Sequence, residues 1–154
     1  MGSLDREQTI ESYTMKFLVL SLAGILALPS VAMANPHDVF GVYAVEDGTS
    51  HIEIADCGDG TPCGKVVWID PESIESGLAP EEVTSPATGE PVLGLTILHG
   101  LRQARNDWRG GTIYSPSVDR TYGARIRQLD SGLLEVKGCI GPICQTQLWT
   151  SVER

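Results

Sequence analysis

Two runs near the end of the chain constrain the fold most. Thr121–Leu129 and Leu133–Ile140 alternate apolar and polar residues around the turn Asp130-Ser131-Gly132. In the first run Tyr122, Ala124 and Ile126 share one face, while Arg125 and Arg127 share the other. In the second, Leu134 and Val136 oppose Glu135 and Lys137. A period of two with a polar turn between is the pattern of an antiparallel hairpin with one buried face. The outward charges are expected to pair across it.

The same reading extends upstream. Val39–Glu46 ends at Asp47-Gly48, a hairpin signal. Ser50–Asp56 alternates, with Ile52 and Ile54 opposite His51 and Glu53. Gly64–Ile69 places Val66 and Trp68 on one side, and Val92–Leu98, Gly111–Ser115 and Gln145–Val152 complete the set. Gly100–Asp107 reads as a loop. Gly110-Gly111, Gly138 and Gly141 read as bends or bulges at strand corners. The expected fold is all-β. About eight short antiparallel strands joined by hairpins hide their apolar face by closing into an up-and-down barrel, which also removes exposed edges. A two-sheet β-sandwich is the alternative. One stretch, Asp70–Pro91, breaks the pattern with four prolines (Pro71, Pro80, Pro86, Pro91) and many acids. It reads as a long loop with a helical turn at Pro80-Glu81-Glu82, either a lid or a passive connection.

The start of the chain sets the compartment. Met15-Lys16, the apolar run Phe17–Leu28, then Pro29-Ser30 and Ala32-Met33-Ala34 have the layout of a secretory signal with an A-x-A cleavage site. The apolar run is too short for a bilayer span, which takes about 20 residues. Residues 15–34 are therefore read as a signal peptide cleaved near Ala34-Asn35. Residues 1–14, with Asp5, Glu7 and Glu11 in place of basic residues, are read as an upstream extension outside the fold. Residues 35–154 form one domain of about 120 residues. The expected location is periplasmic or secreted, with no stable membrane insertion after cleavage.

Export makes the four cysteines disulfide candidates. Four cysteines allow three pairings. Cys57 and Cys63 bracket turn residues, and so do Cys139 and Cys144, so spacing favours two local clips. A four-thiolate zinc site is the rival. Its C-x(2–4)-C spacing is met by the second pair and not by the first.

The formal net charge of −9 and the absence of a basic tract argue against nucleic-acid binding. Arg102, Arg105 and Arg109 form the one dense basic group, which reads as a solvated loop or as a hold for a small anionic ligand. No G-x-S-x-G, H-E-x-x-H, P-loop or G-x-G-x-x-G is present. His37, beside the expected new N-terminus, reads as disordered, and His51 and His99 as surface or hydrogen-bonded groups. No catalytic residue, metal site or cofactor is nominated. The strand aromatics Tyr43, Trp68, Tyr114, Tyr122 and Trp149 either fill the core or line a small-molecule pocket.

Several blocks carry a family resemblance. They are Cys63-Gly64-Lys65-Val66-Val67-Trp68, Leu93-Gly94-Leu95-Thr96-Ile97-Leu98, and Trp108-Arg109-Gly110-Gly111-Thr112-Ile113-Tyr114-Ser115-Pro116. Lys137-Gly138-Cys139-Ile140-Gly141 and Gln145-Thr146-Gln147-Leu148-Trp149-Thr150 close the series. The chain resembles the bacterial family of domain of unknown function 2147 (DUF 2147), small exported proteins. The resemblance implies a lipocalin-like (calycin-like) barrel and carries over no catalytic residues. Three stretches depart from the family pattern. Thr84–Pro91 lacks an Asn-Pro and paired-arginine segment, Ser117-Val118-Asp119-Arg120 replaces an Asp-Gly turn, and Gly41-Val42-Tyr43 stands where Gly-x-Trp is expected. Tyr43 with Arg154 is read as a counterpart of the lipocalin tryptophan–arginine contact.

Three functions remain in play. The first is a non-enzymatic periplasmic protein that binds a small apolar or amphipathic ligand in the barrel. The second is an envelope interaction module that meets an unspecified protein partner through its acidic surface and long loop. The third and weakest is an enzyme with an unfamiliar site.

Overall fold

The computed structural model describes residues 34–74 and 77–152. The expected leader up to Met33, and Arg154, lie outside the described residues. The alternating runs become nine strands: β1 (Gly41–Ala44), β2 (Ser50–Asp56), β3 (Pro62–Ile69), β4 (Thr96–His99), β5 (Arg102–Gln103), β6 (Trp108–Ser115), β7 (Arg120–Gln128), β8 (Leu134–Ile140) and β9 (Ile143–Ser151). Every pairing is antiparallel. β1 pairs with β9, and β4 pairs with both β3 and β6, so the sheet closes on itself. β4 and β5 pair in succession with the same strand, β6, and together make one wall. Counting that wall once, the nine strands give a closed eight-stranded up-and-down barrel. The sandwich alternative is not what forms, because closure satisfies both sheet edges.

The interior is one apolar cluster. Ile52, Ile54, Val66, Leu98, Ile126, Leu134, Val136 and Trp149 are all buried within it. These are the apolar positions of the alternating runs, so the local pattern and the packing agree.

Two bulges change the expected facing. Ile52 pairs with Val66 but His51 pairs with Trp68, so Val67 is an extra residue in β3. An extra residue reverses the facing of everything beyond it. Ile69 therefore turns inward and is buried, while Trp68 turns outward and stacks on His51 with ring centroids 4.3 Å apart. In β6 the partners step from Arg109–Arg125 to Gly111–Ala124, leaving Gly110 unpaired at φ 79°. Trp108 and Arg109, read as outside the strand, are its first two residues because this bulge lets pairing continue past the glycines. A Cβ on Gly111 would run into the backbone of His99, Gly100 and Leu101, where β4 hands over to β5.

The expected turns form. Gly48 adopts φ 74° in the β1–β2 turn. Asp70 caps a short 3-10 turn at Pro71–Ser73, and Pro80–Glu82 forms another. Residues 83–92 fold back as a small ladder, with Thr84 bridging Pro91 and the amides of Val92 and Ser85 donating to Val83 and Glu90. Both local clips are disulfides, Cys57–Cys63 and Cys139–Cys144, with Cα atoms 5.2 and 4.0 Å apart. No cysteine among the described residues is free for zinc.

Candidate functional site: the open end of the barrel

The strand directions define two ends. The Cys57–Cys63 loop, the 104–107 loop and the 129–133 turn lie at one, the base. The β1–β2, β6–β7 and β8–β9 turns lie at the other, the mouth.

The base is sealed by the segment before β1. The amide of Gln128 donates to the Pro36 carbonyl at 3.0 Å. Trp108 Nε1 donates to the His37 carbonyl at 3.1 Å, and His37 Nε2 lies 2.7 Å from the Ala104 carbonyl. The His37 and Trp108 rings meet edge to face. His37 is thus an ordered clasp rather than a disordered start. Val39, fully buried, fills the floor. Tyr43 points to the same end, where its hydroxyl donates to Gln128 Oε1. Burial, and then the charge of Asp38, push its phenol above the usual value.

The mouth differs. Along β9, residues 143, 145, 147 and 149 share the inner face, by alternation and by pairing to Ile140, Gly138, Val136 and Leu134. Trp149 is buried, yet Gln147, Gln145 and Ile143 are exposed. The β8–β9 hairpin therefore rises above the packed core with its inner face bare. Its tip is apolar. Ile140 is 53% and Ile143 74% exposed, and Cys139–Cys144 clamps the turn between them. Val118, 61% exposed, stands on the neighbouring β6–β7 turn. Trp149 Nε1 donates to Gln147 Oε1 at 2.8 Å, linking the core to the first exposed polar group on the inner face of β9. Tyr122 is half-buried on the inner face, and its ring lies across Gly138, where a Cβ would come within 3.3 Å. Gly138 is thus a seat for an aromatic ring rather than a bend.

The five aromatics singled out from the sequence therefore do not converge. Tyr122 belongs to the mouth, and Trp149 to the core below it. Tyr43 belongs to the base. Trp68 is on the outside because of the Val67 bulge. Tyr114 also faces outward, paired with Thr121, and is covered by the 83–92 ladder. Its hydroxyl lies 2.9 Å from Ser85 Oγ and donates to Asp119 Oδ1 at 2.9 Å, and the Ala87 amide donates to it. Ser85 is buried by this contact, so this part of the long loop is a fixed outer buttress. The sequence reading missed Ile140, Ile143, Gln145 and Gln147. Their signal was present as two isoleucines on a turn already clipped by cysteines.

Among the described residues no group of three or more His, Cys, Asp and Glu could hold a metal ion. No helix there is long and apolar enough to cross a membrane. Two shallow hollows, of about 210 and 380 Å³, open on the outer face of β6–β8.

The model of a bacterial family described as "Uncharacterized protein conserved in bacteria (DUF2147)" matches residues 41–151, most of the barrel from β1 to the end of β9. The chain belongs to the DUF2147 family. No curated protein matches it. The DUF2147 barrel is similar to a solved structure described as "Protein HP1028 from the human pathogen Helicobacter pylori belongs to the lipocalin family". Identity is 18%, covering 79% of this chain and 84% of that one, with a TM-score of 0.59. At that identity the likeness concerns the fold, and it agrees with the closed, meandering barrel described above. Two disulfides fit an oxidising compartment, extracellular or periplasmic.

Proposed function

We propose that this protein is a non-enzymatic periplasmic binder that seats a small, partly apolar ligand in the mouth of its barrel, above the filled core. The observation that carries the reading is the contrast along β9, whose inner face passes from buried Trp149 to bare Gln147, Gln145 and Ile143. An apolar lip around a few polar groups is the ordinary build of a small-molecule site. Gln145 and Gln147 offer amide donors and acceptors for one polar group of the ligand. Ile140, Ile143 and Tyr122 offer contact for its apolar part. The lipocalin-like fold, the sealed base and the secretory-type leader support the same reading.

Titration with the neutral fluorophore N-phenyl-naphthylamine tests it. Emission should rise on mixing and saturate. The double change Ile143→Asp, Gln145→Glu, at two exposed positions, should remove most of that rise while the melting temperature stays close to wild type. No rise with the wild type, or a rise unchanged by the double change, overturns the reading.

A further inference from the structure

We propose that the outer face of β5–β8 is a separate binding site for a small ligand bearing two or more anionic groups, phosphate or carboxylate. The cross-strand register carries the argument. Arg102 pairs with Arg109, Arg109 with Arg125, and Arg125 with Lys137. Directly paired residues point to the same side, so four cations form one row across four strands. Arg125 alternates with buried Ala124 and Ile126, which puts the row on the outside. Neighbouring strands are about 4.8 Å apart, so the row spans roughly 14 Å with a cation at each step.

Like charges directly opposite destabilise a sheet. The chain has acids in excess, with a net charge of −9, yet it pairs only half of this row with carboxylates. Asp107 binds Arg109 through both oxygens at 2.6 Å. Glu135 accepts from Arg127 at 2.8 Å and lies 3.3 Å from Lys137 Nζ. Among the described residues, Arg102 and Arg125 have no carboxylate partner. The hairpin charges thus pair only in part. Arg127 meets Glu135, but Arg125 meets Lys137.

The surface under the row is shaped to be approached. The two outer hollows share Arg109 and Arg125. The larger, about 380 Å³, is floored by Gly110, Gly111, Gly123 and Ala124, with Cys139 at its edge. Gly110 and Gly123 occupy positions where side chains would fill it, so the backbone itself is the floor. Arg102 borders it, since a Cβ on Gly110 would lie 3.7 Å from Arg102 Nη2. Guanidinium groups over a bare backbone floor match planar or tetrahedral oxyanions through paired N–H donors. The acidic remainder of the molecule repels a long polyanion, which limits the ligand to one that the row itself covers.

Calorimetric titration of the purified protein with inorganic pyrophosphate and with citrate tests the site. At least one should bind, and the tighter one names the chemistry. Affinity should fall as salt rises. Arg125→Gln should weaken binding by about tenfold or more, Arg102→Gln by less, and Arg120→Gln, at the start of β7 and off the row, should have no effect. Without anion, Arg125→Gln should melt at the wild-type temperature or above it, because a repulsion is relieved. It should also leave N-phenyl-naphthylamine emission intact, which separates this site from the mouth. No heat with either probe, equal losses in the Arg125 and Arg120 variants, or a lower melting temperature for Arg125→Gln overturns the proposal.

Discussion

The same two strands, β8 and β9, are core at one end and rim at the other. At the base end Leu134 and Trp149 pair with each other and are buried. At the mouth end Ile140 and Ile143 pair in the same manner and are exposed. The residues are equally apolar and the backbone pairing is continuous. What differs is the opposite wall. β1 pairs with β9 at Tyr43 and Ala44, and Glu46 in the β1–β2 turn accepts from the Leu148 amide, but among the described residues no ladder partner on that side reaches Ile143 or Gln145. Apolarity therefore marks two different things in one hairpin: stability where a facing wall exists, and contact surface where it does not.

The largest effects should come from breaking the buried half. Leu134→Ala should cost about 2–5 kcal/mol, read by denaturant unfolding, because the cavity cannot collapse inside a closed barrel. Ile143→Ala should stay within about 0.5 kcal/mol of wild type. Equal losses at the two positions would erase the distinction between core and rim. Gly111→Ala comes next. Its Cβ would meet the His99–Leu101 backbone, and a loss of roughly 1–3 kcal/mol is expected. A silent Gly111→Ala would mean that the β4–β5 crossing is looser than its geometry.

The two disulfides close loops of similar length at opposite ends, so each should contribute about 2 kcal/mol in the chain-entropy account. Replacing both cysteines of one pair by serine should lower stability by that amount in either case. Only loss of Cys139–Cys144 should also weaken N-phenyl-naphthylamine binding, since that clip holds the mouth hairpin. Matching effects on binding would place the ligand elsewhere.

The smallest effect concerns Glu135. Burial pushes its carboxyl up, but hydrogen bonds from Arg127 and Lys137 and their charges outweigh burial, and the net shift is downward. A carboxylate whose pKa is lower in the folded state stabilises above its unfolded value, and that contribution fades as pH falls through the folded value. Wild type should thus lose an increment below about 1 kcal/mol as pH drops below about 4.5. Glu135→Gln should lack that increment, as seen in melting temperature against pH. A parallel decline in both proteins would remove Glu135 as the source.

Much of the barrel was legible because its signals are local. Alternation, Asp47-Gly48, Asp130-Ser131-Gly132 and two closely spaced cysteine pairs depend only on neighbouring residues. With one apolar face per strand and no helix to cover it, closure follows. The candidate site was far less legible. Trp68 and Val66 look like same-face neighbours until the Val67 bulge reverses them, and a bulge exists only in relation to the strand opposite. Tyr114 alternates correctly yet faces outward, where only the folded 83–92 segment gives its hydroxyl partners.

Local residue order is enough to specify short antiparallel strands, the residues that seek the inside, and the cysteines close enough to join. Tertiary structure alone decided which end is open, which aromatics share a space, and that Arg102, Arg109, Arg125 and Lys137 fall in one row. The physical reason is that periodicity is a property of one strand, whereas register, bulges and the height of the facing wall belong to pairs of strands brought together by the closed sheet.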